Sequence, residues 1–193
     1  MTAVPTAVVP DRGRPSMLAV GTTVWLASEL MFFAGLFATY FTLRANDPEW
    51  PGAHAHLSTV RDAGFTALLV LSSATMQMAA HALGRERRSV AVRLIVVSLV
   101  LGAVFLANQG FEWTQLPFRA QTNAYGSMFY VMTGFHGLHV LFGLIAMVGL
   151  LLRIGSGGPD DRGAETATEV VTYYWHFVDV VWLGLFATLF FVR

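Results

Sequence analysis

From Met17 to Leu43 the chain runs for 27 residues with a single charged side chain, Glu29. As a helix rising 1.5 Å per residue, such a run is about 40 Å long and exceeds the ~30 Å hydrocarbon core of a bilayer. Lipid offers no partner to backbone N–H and C=O groups, so a single apolar run of this length folds as a membrane-spanning α-helix. Four further runs meet the same test: Ala63 to Leu83, Val90 to Phe111, Ala124 to Leu152 and Val170 to Val192. The sequence therefore predicts an all-α integral membrane bundle of five transmembrane helices over residues 17–193, preceded by a polar, cytoplasmic tail of residues 1–16.

Composition points the same way. Hydrophobic residues make up 55% and charged residues 12% of the 193, with a mean hydropathy of +0.57, which is outside the range of a soluble domain of this size. All twelve basic residues are Arg, balanced by twelve acidic ones and forming no basic patch, so a nucleic-acid partner is excluded. With no cysteine, the chain holds no disulfide, thiolate metal site, iron–sulfur cluster or covalently attached haem c. A metal here would need His, Met or carboxylate ligands.

The opening "MTAVPTAVVPDRGRPS" lacks the basic start and small-residue cleavage site of a secretory signal, so the N-terminus is expected to be retained. Orientation follows from Arg in the short connections. With the N-terminus inside, the cytoplasmic side holds Arg12, Arg14, Arg85, Arg87, Arg88, Arg93, Arg153 and Arg162, against Arg44, Arg61, Arg119 and Arg193 outside. Tyr40, Trp50, Trp113, Phe118 and Tyr125 fall where spans meet the outer connections, as interfacial aromatics do. The longest connections are "RANDPEWPGAHAHLSTVR" outside and "RIGSGGPDDRGAETATE" inside, the second reading as a flexible loop. Small residues four apart mark expected helix contacts at Ala34 and Ala38, Ser98 and Gly102, and Gly184 and Thr188.

Polar side chains inside the spans carry the functional signal, because a charge at mid-bilayer costs at least ~2.5 kcal/mol and faces protein or water. Glu29 lies roughly 18 Å along its helix and Asp179 roughly 14 Å along the last, both deep. In "TGFHGLHVLFG", His136 and His139 sit three residues apart, and His176 is one turn from Asp179 on the same face. His81 is near the inner end of its span. Two carboxylates and up to four imidazoles are thus expected in one layer of the bundle. Glu112, after "LANQGF", falls near the outer interface, within reach of water. Three readings of this layer are open: a metal or haem site, a set of side chains that satisfy one another, each His donating to a carboxylate or backbone carbonyl, and a proton-handling group of buried carboxylates.

The segments "SELMFFAGLF", "LANQGFEW", "TGFHGLHVLFG" and "YYWHFVDVVWLGLF" resemble, in the same order, signature segments of subunit III of the haem–copper cytochrome c oxidases. The resemblance covers roughly Met17 to Arg193, and the five spans and Arg-only basic complement look like the short actinobacterial form. It implies a non-redox accessory subunit of an aa3-type, proton-pumping oxidase of the plasma membrane. Such a subunit has no catalytic centre and no cofactor of its own, with haem and copper in subunits I and II. It also implies packing on subunit I, support of proton uptake, bound phospholipid, and membership with subunit II in a larger respiratory assembly. By resemblance, Glu29 matches a membrane-buried glutamate that reacts with carbodiimides. His136 and His139 match paired polar-network histidines that ligate no metal, and Glu112, His176 and Asp179 match their own motifs. Long family members have seven spans around a lipid-filled cleft; this chain lacks the first two, so that cleft needs a wall from another subunit. Related subunits also serve quinol oxidases and nitric oxide reductase-associated complexes. A small proton-coupled transporter would also use Glu29 and Asp179, although neither inverted repeats nor Gly- or Pro-broken spans are seen.

Overall fold

The computed structural model describes residues 17–52, 59–156 and 161–192. Five helices account for nearly all of them: α1 (Met17–Asn46), α2 (Thr59–Leu83), α3 (Arg88–Gln115), α4 (Ala124–Gly155) and α5 (Asp161–Phe190). Each is long and apolar enough to cross a membrane, and no strand occurs among the described residues. The expected tail of residues 1–16 lies outside the described residues.

Helices α2, α3, α4 and α5 form a ring, each packed on the next, with α2 closing against α5. α1 lies outside this ring in the groove between α4 and α5 and touches neither α2 nor α3. It docks along one stripe, with residues three or four apart as helical packing requires. Trp25 stacks on Tyr174 at 5.2 Å, Glu29 meets His139, Phe33 and Tyr40 are fully buried, and the Tyr40 hydroxyl reaches the Thr188 carbonyl at 3.4 Å. The rest of α1 is a lipid-type surface, with Val24, Leu30 and Met31 exposed.

The ring is built around Trp175, which has no exposed surface. Glycine makes room for the indole on two sides: a Cβ on Gly102 would come within 2.8 Å of its ring, and one on Gly143 within 2.6 Å. Such close approach replaces the hydrophobic drive that is missing between helices in lipid. The expected contact at Ser98 and Gly102 is therefore made. Gly184 is also used, its Cβ position lying 3.2 Å from the Phe37 ring of α1, and Thr188 is buried. Ala34 and Ala38 instead point outward and make no internal seam, because the α1 docking stripe runs through Phe33, Phe37 and Tyr40.

A tight turn joins α2 to α3. The Glu86 N–H bonds the Leu83 carbonyl at 2.8 Å and the Arg87 N–H bonds the Ala82 carbonyl at 2.9 Å, with Glu86 at φ 60°, a left-handed position that glycine usually fills. At the start of α4, the Asn123 side chain caps the Gly126 N–H at 2.8 Å. The helices exceed the predicted runs. In particular α5 begins at Asp161, so the second half of the expected inner loop is helical. Hydropathy marks only the apolar part of a helix, whereas Ala164, Glu165, Ala167 and Glu169 are polar or small residues compatible with helix outside the hydrocarbon.

Candidate functional site: polar residues inside the bundle

The seam between α2 and α5 is laced by side-chain hydrogen bonds. Trp175 Nε1 donates to Ser72 Oγ and Trp182 Nε1 to Thr66 Oγ1, each at 2.9 Å. Both hydroxyls spend their own hydrogen on a carbonyl of the preceding turn, Leu69 and Asp62 respectively, which leaves lone pairs free for the indoles. At the adjacent positions, Ser73 Oγ lies 2.8 Å from His176 Nδ1, and His176 Nε2 lies 2.9 Å from Gln77 Oε1. Asp179 is buried at 6% exposure, with Ser73 as the polar group facing its carboxyl. His81 is exposed, and its Nδ1 bonds the Gln77 carbonyl at 2.8 Å.

Glu29 and His139 meet where α1 crosses α4. Their Oε2 and Nε2 atoms are 3.2 Å apart, and His139 Nδ1 bonds the Phe135 carbonyl at 2.7 Å. The ring also packs edge-on against Phe33. His136 is different. It has no exposed surface, neither ring nitrogen has a hydrogen-bond partner, and its ring stacks on Trp182 at 4.8 Å with Phe105 edge-on behind it. Two residues three apart on a helix are rotated by about 60° from one another, so His139 turns toward α1 while His136 turns into the aromatic centre of the ring.

A third group joins α2 to α3. Glu112, expected near water at the helix end, is only 4% exposed, and Asp62 beside it 3%. Arg61 lies between them, 3.6 Å from Asp62 and 3.7 Å from Glu112. α3 continues past Phe111 to Gln115, and α2 starts four residues before the predicted span, so both carboxyls sit inside packed helix rather than in a connection.

The two carboxylates and four imidazoles do not come together in one cluster. Glu29 with His139, His176 with Ser73 and Gln77, Asp179 beside Ser73, His136 alone, His81 at the surface, and Glu112 with Asp62 and Arg61 have different partners. His139 and His81 each bond a backbone carbonyl, whereas neither nitrogen of His136 has a hydrogen-bond partner. Among the described residues, no group of three His, Cys, Asp or Glu comes together as a metal site. Sequence reasoning missed Arg61, Asp62, Thr66, Ser73 and Gln77. The signal was present, since Thr66 and Ser73 lie two turns apart on one face of α2 and meet Trp182 and His176 of α5.

Chemically, the bundle offers buried acids and imidazoles, groups whose ordinary chemistry is hydrogen bonding and proton exchange. The cytochrome c oxidase subunit III family matches residues 14–193. The chain is 48% identical over 189 residues to a probable cytochrome c oxidase subunit 3 of Nocardia farcinica, covering 96% of this chain and 93% of the relative. It is 46% identical over 187 residues to the cytochrome c oxidase subunit 3 of Corynebacterium diphtheriae, covering 93% and 90%. The same-named subunit of Thermostichus vulcanus is 33% identical over 187 residues, with 96% and 93% covered.

Proposed function

This chain belongs to the cytochrome c oxidase subunit III family, and from that premise we propose that it is the accessory, non-redox subunit of a cytochrome c oxidase. In this reading it packs against the catalytic subunit I and supports its proton supply. Haem and copper reside in subunits I and II, and electrons pass from cytochrome c to dioxygen entirely in those partners. The observation that carries the reading is the family match along residues 14–193, which takes in all five helices. The separate acid–imidazole groups support it, because they suit proton exchange and structural bonding.

The proposal places the protein in the plasma membrane with its N-terminal tail in the cytoplasm and its C-terminus outside. The Arg-rich turn between α2 and α3 supports this orientation. Phospholipid and partner helices cover the apolar outer faces of α1 and α4, where Met31 and Leu152 are among the most exposed side chains. Single cysteines placed in this cysteine-free chain test the topology. A probe confined to the outside should label residues 47–49 and spare 84–87.

Function is tested by removing the chain from the assembled oxidase. The haem spectrum of the remaining complex should stay intact while turnover falls, increasingly so as pH rises and bulk protons become scarce. Activity should also be lost faster during turnover than at rest. A depleted complex that matched the intact one in rate, pH profile and lifetime would overturn the proton-supply role. A haem band in the isolated chain would overturn the non-redox role.

A further inference from the structure

The α2/α5 seam contains a directional chain of hydrogen bonds that ends at Ser73, beside the buried Asp179 carboxyl, whose oxygens have no hydrogen-bond partner. Gln77 Oε1 can only accept, so His176 Nε2 carries hydrogen, and in the neutral ring Nδ1 is the lone pair that receives the Ser73 O–H. Beyond Ser73 lies Asp179. No cation pairs with Asp179 among the described residues, and Ser73 is the polar group facing it. A proton reaching or leaving that carboxyl has to pass through what touches it, because its oxygens are sealed from solvent.

The other end of the chain opens to a surface pocket of ≈ 370 Å³ between the end of α2 and the first turns of α5. Gln77, His81, Arg85, Glu169, Thr172 and Tyr173 line it, so the titratable and charged groups facing it come from both helices. Gln77 both lines this pocket and holds His176. From Glu169 to Asp179 is about 15 Å along α5. The seam thus spans from a polar, charged mouth to an acid deep in the bundle.

We propose that His176, Ser73 and Asp179 form a proton-exchange site, loaded from water in the α2/α5 pocket. To load, the neutral ring turns its Nδ1 lone pair from Ser73 to water in the pocket, takes up a proton there and turns back; Nδ1–H then donates to Ser73 Oγ, Nε2–H again donates to Gln77, and the hydroxyl hydrogen is released to turn toward Asp179. The Nδ1 proton then moves to Ser73 Oγ as the Ser73 proton moves to an Asp179 oxygen. An imidazolium and a carboxylate become a neutral imidazole and a carboxylic acid, the hydroxyl is restored, and no net charge is left in the seam. The reverse sequence returns the proton to the pocket. Gln77 is a positioning residue in this scheme: it fixes the ring and the tautomer and carries no proton itself. This route deepens the proton-supply role proposed above and rests on that reading for its use; its chemistry is tested without reference to turnover.

The test is infrared difference spectroscopy of the full chain in its native complex, subtracting the Asp179→Asn variant to isolate the Asp179 carboxyl band, followed by transfer into heavy water. The band should shift rapidly in the wild type. Ser73→Ala should slow that shift by about a hundredfold, the lower range of what a positioned proton-transfer group contributes, and Ser73→Thr, which keeps the hydroxyl, should restore it. Equal exchange rates in wild type and Ser73→Ala would overturn the route. So would the absence of any Asp179-dependent carboxyl band at every pH where the complex stays assembled. Either failure would leave the effect of removing the whole chain on oxidase turnover, and therefore the accessory role, to stand or fall separately.

Discussion

His139 Nε2 lies 3.2 Å from Glu29 Oε2 while His139 Nδ1 donates to the Phe135 carbonyl, and together these contacts require that the pair hold one proton between carboxyl and imidazole. A carbonyl only accepts, so Nδ1 carries hydrogen. The Nε2 contact then needs one more, either on an imidazolium facing a carboxylate or on a carboxylic acid facing a neutral ring. In both states the proton sits at a side-chain hydrogen bond that ties α1 to α4.

Glu29→Gln should keep this tie, because the amide can donate to the neutral Nε2, while removing the acid. The expected outcome is normal assembly with loss of labelling by a hydrophobic carbodiimide. His139→Leu should be the worse change for assembly, since it leaves the carboxyl without its partner at a cost of about 1–3 kcal/mol. Mass analysis of labelled peptides and the yield of intact complex check both. Continued labelling of α1 in Glu29→Gln would mean that another group reacts.

His136 should show the opposite preference. Its nitrogens have no partner and its ring stacks on Trp182, so the imidazole acts there as a flat, packed surface. His136→Phe keeps ring packing and removes unsatisfied polar atoms, so it should be tolerated better than His136→Gln, whose amide would be buried without partners at about 1–3 kcal/mol. The heat stability of the purified complex measures the difference. If His136→Gln proved the milder change, the site would have to contain a partner for the ring, such as a buried water.

The contrast between these two histidines shows how far the sequence can be read. The fold was legible because each apolar run exceeds the bilayer thickness, which leaves a helix as the only solution. Which face of a helix meets which neighbour was not, because in a span apolar on all sides periodicity does not separate lipid from protein. Hence the spacing of His136 and His139 predicted a shared role that a 60° rotation of about that size divides. Ala34 and Ala38 passed the small-residue rule yet face outward, while Gly143, which that rule did not single out, is pressed against Trp175. Asp62 escaped notice because the predicted span starts at Ala63, one residue beyond it, whereas the helix starts at Thr59 and carries Asp62 beside Arg61.

Gly102 and Gly143 make a separate prediction about packing. An added methyl would sit 2.8 Å and 2.6 Å from the Trp175 ring, and that ring is enclosed on every side. Gly102→Ala and Gly143→Ala should each destabilise the bundle by about 1–3 kcal/mol through overpacking. Gly35→Ala and Gly149→Ala, where nothing lies within 4 Å, should be neutral or slightly stabilising and serve as controls. Thermal denaturation of the four variants in one detergent provides the comparison. Equal behaviour of both pairs would show that Trp175 can move aside at no cost.

The Arg61 group leads to the last prediction, through its charges. Two buried carboxyls, Asp62 and Glu112, face one guanidinium, so the group carries one acid more than it can neutralise. Removing the cation leaves both acids uncompensated, and Arg61→Met should cost about 3 kcal/mol. That is the lower end for breaking a buried pair, because the Arg61 side chain is 35% exposed and partly screened by solvent. Glu112→Gln acts in the other direction: it removes the surplus acid, keeps a side chain that can accept from Arg61, and leaves a matched Arg61–Asp62 pair. It should be neutral or stabilising. The double variant Arg61→Met with Glu112→Gln should recover part of the loss, because only one unpaired carboxyl then remains. Stability measured across this cycle as a function of pH gives the sign. The Arg61→Met defect should shrink as pH falls, since added protons neutralise the two buried, unpaired acids of the variant more than the paired acids of the wild type. A defect that stayed constant with pH would mean that Arg61 acts by packing its stem against α3 and that its charge is incidental.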